Sequence, residues 1–393
     1  MEKYKRNDRK KRNRKVWMAK MFLGVLLVIC LLNLVWPDAE FSETENRMLE
    51  QKPSLTLSGI ESGRFMEQYE SYQSDQIAGR DLWVQLKTRV DLLMGKRESN
   101  GVFKGKGSYL LEDIKTPDQE HLEQNLQAIC GFQETYPDIP MYMMLVPNAA
   151  NVFSEKLPAF AVTRDQDADF DSIQKTLEGH LTWVDAGKAL KDHKSENIYY
   201  HTDHHWTTLG AYYGYQALAE AMDLDTSKAP ELTPYAVSNS FNGTLSSTSG
   251  YETGYEEPIY VYFPKDEEAA PEVVVNYVEE QKKTATLYDS SKLKEKDQYA
   301  MFLGGNSGLI SIRTTADSTQ RLLLLKDSYA NCLVPFLIPY YREILMVDPR
   351  YYYGDITSLM EENKISSVLF LYNGNTFVED NSISGVLTND ETE

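Results

Sequence analysis

The densest group of chemically active side chains in the 393-residue chain is the run His201-Thr202-Asp203-His204-His205-Trp206. A histidine that acts as a general base needs one ring nitrogen directed at a nucleophile and the other held by a carboxylate. Asp203 and His205, two residues apart, can supply that pair. The spacing leaves His204 open as an alternative base, because only one of two adjacent side chains in an extended segment faces a given side.

The predicted nucleophile is Ser328, which directly follows the apolar run RLLLLKD. A serine just after a buried strand exposes its hydroxyl in a turn whose backbone N–H groups can bind an oxyanion. A serine in such a place is also a common helix cap or turn former. Asn331, three residues later, is open to both interpretations, as an oxyanion donor or as a hydrogen-bonding turn residue.

A metal site is the second chemistry that the histidine-rich run permits. His201, Asp203, His204 and His205 are residue types that bind zinc or iron. However, the sequence has no HExxH motif and no CxxC pair. The pattern therefore favours acid–base chemistry, and we expect neither a metal nor another cofactor.

The elements that would position these residues alternate between strand and helix patterns. The run TTLGAYYGYQALAEAM predicts a helix directly after the histidine cluster, with Thr207 or Thr208 as its N-cap. Strand-like runs such as MYMMLVP alternate with further helical patterns, which predicts a parallel sheet covered by helices. The segment from about 234 to 298 interrupts this alternation with short β-like runs, and we interpret it as a β-rich insertion.

Polar residues follow three of the predicted parallel strands, RLLLLK, EILMV and SSVLFLYN. Ligands of open parallel sheets bind just beyond the carboxyl ends of the strands. We therefore expect one edge of the sheet to carry Asp327, Ser328, Asp348, Arg350, Asn373 and Asn375. Arg350 could bind a substrate hydroxyl or an anionic group there, and an ordinary surface role is equally open.

The N-terminus has the pattern of a membrane anchor. Its first twenty residues hold ten lysines or arginines against two acids, and residues 16–36 are apolar apart from Lys20 and Asn33. At roughly 1.5 Å per residue, this run can cross about 30 Å of hydrocarbon. The positive-inside rule predicts a single pass through the plasma membrane, with residues 1–15 cytoplasmic and the remainder extracytoplasmic. A cleaved signal peptide is the alternative, but no A-x-A-like site follows.

The rest of the chain carries 30 basic and 57 acidic residues, so we expect no nucleic-acid partner and attribute the basic tail to anionic lipid headgroups. We predict a stalk and an amphipathic helical segment at 37–100, with a helix break near Ala78-Gly79, and the main domain at 101–393. One disulfide, between Cys130 and Cys332, is possible.

Several blocks of the sequence resemble a known family. The segment TDHHWTTLGAYYGYQAL resembles the signature of the DHHW family, and ENRMLEQKPS, VPNAANVF, FLGGN, KDSYANCLVPFL and VDPRYY resemble its other recurring blocks. That family is similar to the alginate O-acetylation proteins, whose extracytoplasmic domains are SGNH-hydrolase-like with a permuted motif order. The resemblance implies a flavodoxin-like, three-layer α/β sandwich.

The resemblance also implies roles for individual residues. Its Asp-x-His-Trp motif matches Asp203, His205 and Trp206, with His204 in the variable position, and Ser328 matches the nucleophile of the Gly-Asp-Ser block. His204 and Trp206 are further candidates for contact with the substrate or the oxyanion. Lys326 stands where that block has glycine. Asn373 or Asn375 would be the oxyanion-hole asparagine, although neither lies in the usual Gly-x-Asn-Asp sequence.

The implied activity is acetyl transfer to a cell-wall or extracellular polysaccharide. Ser328 would take the acetyl group and His205 would activate a sugar hydroxyl. Because no acetyl-CoA is expected outside the cell, the resemblance implies a membrane-bound O-acyltransferase as partner. With water as acceptor the same triad gives an acetylesterase. The remaining alternative is a catalytically silent carbohydrate-binding or scaffolding component of a polysaccharide-modification complex.

Overall fold

The computed structural model describes residues 2–42, 47–266 and 270–388. The chain divides into two compact units, Met1–Gly95 and Lys96–Glu393. The helices are α1 Glu2–Val35, α2 Leu57–Glu61, α3 Arg64–Asp75, α4 Arg80–Leu93, α5 Gln119–Thr135, α6 Ala149–Val152, α7 Gln166–Leu177, α8 Ala186–Asp192, α9 Thr208–Ala221, α10 Thr244–Ser249, α11 Ile356–Asn363, α12 Gly374–Glu379 and α13 Ile383–Thr388.

The strands fall into one large sheet and three small ones. They are β1 Phe41–Ser42, β2 Arg47–Met48, β3 Glu98–Ser99, β4 Val102–Lys104, β5 Leu110–Glu112, β6 Met141–Val146, β7 Thr182–Trp183, β8 Leu232–Phe241, β9 Glu257–Pro264, β10 Val273–Tyr277, β11 Lys282–Thr284, β12 Leu309–Thr314, β13 Arg321–Lys326, β14 Glu343–Val347 and β15 Ser367–Asn373.

The first unit contains the apolar helix α1, the β1–β2 pair and helices α2 to α4. Residues 13–35 of α1 contain an 18-residue stretch with a mean hydropathy of 2.4 and are long enough to span a membrane. The expected helix break is confirmed, because α3 ends at Asp75 and α4 starts at Arg80. Gly79 between them adopts φ 68°, a left-handed conformation that glycine adopts at little cost.

The second unit is built on an eight-stranded sheet of order β11-β10-β12-β14-β13-β15-β6-β7. The strands β14, β13, β15, β6 and β7 pair in parallel, whereas β12, β10 and β11 pair antiparallel at one side. The predicted mixed α/β fold with a mostly parallel sheet is therefore confirmed. Because β13, β14 and β15 are parallel, their carboxyl ends lie at the same edge.

Both faces of this sheet are buried, which explains why its central strands read as continuous apolar runs. Along β13, Leu322 and Leu324 pack into a core with Trp206 and residues of α9, whereas Leu323 and Leu325 pack into a second core on the opposite face. The two cores make the domain a three-layer α/β structure, as the sequence predicts.

The segment predicted as a β-rich insertion is divided between two sheets. Strands β8 and β9 form a separate antiparallel ribbon, while β10 and β11 extend the main sheet beside β12. The apolar run EVVVNYV has the pattern of a strand, and that pattern fits the separate ribbon and the main sheet equally well. Its pairing partner, β12, is decided by the tertiary fold.

Cys130 and Cys332, between which the sequence permits a disulfide, are both free thiols. Cys332 lies in the core that contains Trp206, whereas Cys130 packs against the core on the other face of the sheet. The sheet therefore stands between the two thiols, and burial raises the pKa of Cys332 to about 12.

Candidate active site

The histidine-rich run forms the tip of a closed loop. Tyr199 and Trp206 pair as an antiparallel bridge, and the N–H of Tyr200 donates to the carbonyl of His205 at 3.2 Å. Thr207 then caps α9, because its Oγ1 accepts from the N–H of Gly210 at 3.2 Å. This capping resolves the choice between Thr207 and Thr208, and the loop presents its polar side chains between two fixed ends.

The structure brings Asp203, His205 and Ser328 together in one hydrogen-bonded chain. Asp203 Oδ1 lies 2.6 Å from Nδ1 of His205, and Nε2 of the same ring lies 2.7 Å from Oγ of Ser328. Asp203 and His205 are buried, while Ser328 is partly exposed. The arrangement has the geometry of a nucleophile, a base and an orienting carboxylate. It pairs His205, rather than His204, with the serine.

Asp203 is fixed from its second side by the start of α10. Its Oδ2 accepts hydrogen bonds from the backbone N–H of Thr244 at 2.8 Å and from the Thr244 hydroxyl at 2.9 Å. Gly243 permits this approach, because a Cβ there would lie 2.3 Å from the Cβ of Asp203. The other oxygen, Oδ1, is therefore available to accept from His205.

Burial controls the protonation of this pair. Desolvation disfavours the imidazolium, and together with the nearby His204 it lowers the pKa of His205 to about 4 against the opposing effect of Asp203. Burial alone would raise the pKa of Asp203, but the neighbouring histidines and the Thr244 hydrogen bond outweigh it and hold that pKa well below its usual value. At neutral pH the pair is a carboxylate beside a neutral imidazole, which is the form a general base requires.

Ser328 is held in a tight turn at the carboxyl end of β13. It is the first residue of a short 3-10 helix, Ser328–Cys332, that Asp327 caps by accepting from the N–H of Tyr329 at 2.9 Å. The other oxygen of Asp327 accepts from the N–H of Asn373 at 2.8 Å. Asp327 therefore ties the serine turn to β15, and its burial raises its pKa.

Three of the residues expected to bind substrate or an oxyanion are occupied elsewhere. The indole N–H of Trp206 donates to the carbonyl of Tyr329 at 3.0 Å, within the core. Asn373 donates from Nδ2 to the carbonyl of Val146, which ties β15 to β6. Asn375 likewise donates from Nδ2 to the backbone of Asp113.

The other three make no direct hydrogen bond to Ser328 in the described part of the chain. The ring of His204 lies beside that of His205 at an angle of 36°, and its Nδ1 lies 2.8 Å from Oγ1 of Thr244. Arg350 forms two hydrogen bonds to Asp348, at 2.8 and 2.7 Å, and its side chain is 31% exposed. Asn331 donates weakly to Gly305 and Asn306, and its buried Oδ1 has no partner among the described residues.

Two residues that sequence reasoning missed contact the triad or its neighbours. Tyr299 stacks on the His205 ring, with ring centroids 3.7 Å apart, and its hydroxyl donates to the carbonyl of Ser328 at 3.2 Å. Glu257 is fully buried and accepts from the N–H of His201 at 2.6 Å and of Thr202 at 3.3 Å. Both lie in or beside the segment interpreted as an insertion, where no motif marks them.

Asn306 is the third residue that was missed, although it ends the FLGGN block. Its Oδ1 accepts from Nζ of Lys326 at 3.1 Å and from Nδ2 of Asn331 at 3.4 Å. Lys326 is fully buried, and burial lowers its pKa. Asn306 is exposed. Because both donors bind its oxygen, its Nδ2 points away from them.

The histidine cluster could also be considered as a metal site. Ligand atoms of Asp203, His204 and His205 lie within 4.8 Å of one another. However, the two oxygens of Asp203 accept from His205 and Thr244, and Nδ1 of His204 lies at hydrogen-bond distance from Thr244. A metal would have to displace these bonds, so the donor set fits the triad better than an ion.

Comparison with known proteins gives consistent relatives. The model of the family described as DHHW protein matches residues 142–347. A DHHW family protein from Eubacterium siraeum is similar in structure, with 24% identity, coverage of 75% of this chain and 97% of that chain, and a TM-score of 0.62. Bacillus cereus PatB1 with a sulfonyl adduct has 23% identity, coverage of 71% and 96%, and a TM-score of 0.60.

A more distant similarity is found to the O-acetyltransferase domain of Pseudomonas putida AlgJ, with 14% identity, coverage of 74% and 99%, and a TM-score of 0.43. No curated protein matches the chain in sequence. The family match covers more than half of the chain and includes both the histidine-rich loop and Ser328. The chain belongs to the DHHW family.

Proposed function

We propose that the protein is a membrane-anchored, extracytoplasmic O-acetyltransferase that modifies cell-wall or extracellular polysaccharide through Ser328, His205 and Asp203. The observation that carries this proposal is the unbroken chain of hydrogen bonds from Asp203 through His205 to Ser328. The anchor would be residues 16–36, the stalk 37–100 and the catalytic domain 101–393, with the basic residues 1–15 in the cytoplasm.

The proposed reaction has two steps with a balanced proton transfer. Ser328 Oγ attacks the acetyl carbonyl of the donor while His205 Nε2 takes its proton, and the donor alcohol leaves with that proton. A sugar hydroxyl then attacks the acetyl-serine, His205 removes its proton, and the proton returns to Ser328 Oγ as the ester bond breaks. The donor would come from a membrane-bound O-acyltransferase partner.

The oxyanion formed in each step requires hydrogen-bond donors. We assign the backbone N–H of Ser328, because the first N–H groups of a helical turn lack intrahelical partners. We assign Nδ2 of Asn306 as the second donor. The oxygen of the same amide accepts from Lys326, which precedes Ser328 in the chain, and from Asn331, which follows it.

Replacing Asn306 by alanine should lower kcat by about 10²-fold, the usual cost of losing one oxyanion-hole donor. Hydrolysis of a chromogenic acetyl ester by the purified protein measures the effect. Asn242→Ala is a matched control, because Asn242 likewise accepts from a lysine, Lys296, at 3.2 Å. An unchanged kcat in Asn306→Ala would remove Asn306 from this role while leaving the triad untouched.

The pH dependence of ester turnover should reveal the low pKa of His205. Only neutral His205 can accept the serine proton, so kcat/KM should fall as pH drops through about 4, rather than through the 6.5 of an ordinary histidine. Because His204 contributes to this lowering, His204→Gln should move the midpoint upward. A wild-type midpoint near 6.5, in protein that circular dichroism shows to be folded, would contradict the assignment.

The experiment that tests the function supplies the full-length protein with an acetyl ester, with and without an oligosaccharide acceptor. Acetylated sugar is the product of a transferase, and free acetate alone is the product of the alternative acetylesterase. If neither product forms, the alternative of a catalytically silent carbohydrate-binding or scaffolding component is favoured. Metal analysis of the same sample checks the zinc alternative independently.

A further inference from the structure

Helix α4 in the first unit has an exposed apolar face. Its exposed apolar side chains are Leu82 at 71%, Trp83 at 48%, Leu86 at 52%, Val90 at 42%, Leu93 at 88% and Met94, which follows the helix, at 72%. With 3.6 residues per turn these side chains fall on one arc of about 120°. A soluble helix normally turns such an arc inward.

The opposite side of α4 is less exposed. Thr88 is buried, and Val84, Gln85 and Leu92, which share its side of the helix, are partly buried. The two basic residues Lys87 and Arg89 are exposed and lie at the two margins of the apolar arc. Long basic side chains at the margins of an apolar face are typical of helices that lie on a membrane surface.

Charge supports a lipid partner. The segment 80–97 holds five bases, Arg80, Lys87, Arg89, Lys96 and Arg97, against Asp81 and Asp91. The chain beyond residue 20 is otherwise strongly acidic, with 57 acids against 30 bases in all. Anionic lipid headgroups attract basic segments of this kind, whereas an apolar face that meets protein needs no such excess.

The start of α4 is attached to the end of the apolar helix α1. The N–H of Ala78 donates to Oδ1 of Asn33 at 2.6 Å, only two residues before α1 ends at Val35. The strap that follows α1 is held to the same corner, because the backbone of Ala39 and the side chain of Gln76 exchange two hydrogen bonds, at 2.9 and 2.8 Å. If α1 crosses the bilayer, α4 starts at the level of its outer end.

We infer that α4 is an interfacial helix that lies in the outer surface of the same bilayer, with its apolar arc in the acyl-chain boundary and Lys87 and Arg89 at the headgroups. This inference rests on the membrane anchor of the proposed function. An interfacial helix sits about 5–10 Å into that boundary. The stalk would thus contact the lipid through α4 at the bilayer surface, in addition to the contact that α1 makes within the bilayer.

The test places a fluorescent label at one introduced cysteine of the full-length protein, in which Cys30 and Cys130 are replaced by serine and Cys332 is retained because it is buried. Leu86→Cys reports the apolar arc, Leu26→Cys reports the span, and the exposed Glu361→Cys reports the catalytic unit. Each labelled protein is reconstituted into phosphatidylcholine vesicles with or without phosphatidylglycerol. Doxyl-labelled lipid and aqueous iodide serve as the two quenchers.

We expect the label at Leu86 to be quenched by doxyl lipid about as strongly as that at Leu26, more so with phosphatidylglycerol, and the label at Glu361 only by iodide. Quenching of Leu86 by iodide alone, with Leu26 still in lipid, would overturn the inference but not the anchor. Shielding of Leu86 from both quenchers would indicate a second copy of the chain and also overturn it. Iodide quenching at Leu26 would overturn the anchor and the inference together.

Discussion

Replacing Ser328 by alanine should abolish ester turnover. The substitution removes the hydroxyl that donates to Nε2 of His205, and with it the nucleophile itself. Removing the nucleophile of a serine triad lowers kcat by about 10⁴-fold or more, because binding and the oxyanion donors remain but no acyl-enzyme can form. Initial rates with a chromogenic acetyl ester measure the loss.

Two further measurements make this result specific. Ser311→Ala is the matched control, because Ser311 is a partly buried serine whose hydroxyl binds Glu343 at 3.1 Å in the same sheet. It should retain full activity. Phenylmethanesulfonyl fluoride should form a sulfonate ester at Ser328 of the wild-type protein, with loss of fluoride, and mass spectrometry should find none in Ser328→Ala. Equal turnover by both serine variants would refute the triad.

The second large effect is expected for Asp203→Asn, which should lower kcat by about 10⁴-fold. The N–H of Thr244 donates to one oxygen of Asp203 and would hold the amide oxygen there. The new amide N–H₂ would then face Nδ1 of His205 and donate to it. That bond favours the tautomer with a proton on Nε2, which cannot accept the proton of Ser328.

Asp185→Asn is the control for this change, because Asp185 also accepts a backbone hydrogen bond at a helix start, from Lys188 at 2.8 Å. It should leave kcat unchanged. Thermal unfolding of both variants separates lost catalysis from lost folding, since Asp203 also accepts the N–H of His205 at 3.0 Å. A loss below tenfold in a folded Asp203→Asn protein would argue against an orienting carboxylate.

Lys326 acquires a specific role if these variants show that the wild-type protein is active through the triad. A buried lysine stands where the Gly-Asp-Ser block that the sequence resembles has glycine. In the structure its ammonium lies 3.1 Å from Oδ1 of Asn306 and 3.6 Å from Asp348. An active protein would therefore give Lys326 a positioning role behind the oxyanion donor, in place of the missing glycine.

Sequence alone determined the features that depend on residues near one another in the chain. The alternation of apolar strands and amphipathic helices predicted the α/β fold, because burial on both faces demands continuous apolar strands. The sequence also brought Asp203 and the two candidate bases, His204 and His205, into one short segment, and it placed Ser328 at the end of a buried strand. The apolar run after the basic tail predicted a membrane-length helix in the same way.

Only the tertiary structure decided the features that depend on distant segments. Asn373 and Asn375 look like oxyanion donors at the end of a strand, but their amides are used to tie β15 and α12 to neighbouring segments. The choice of His205 over His204, and the contacts of Tyr299 and Asn306, depend on loops more than 90 residues from the histidine cluster. Hydrogen bonds and ring contacts between such loops follow from the packing of the whole sheet, which no local pattern encodes.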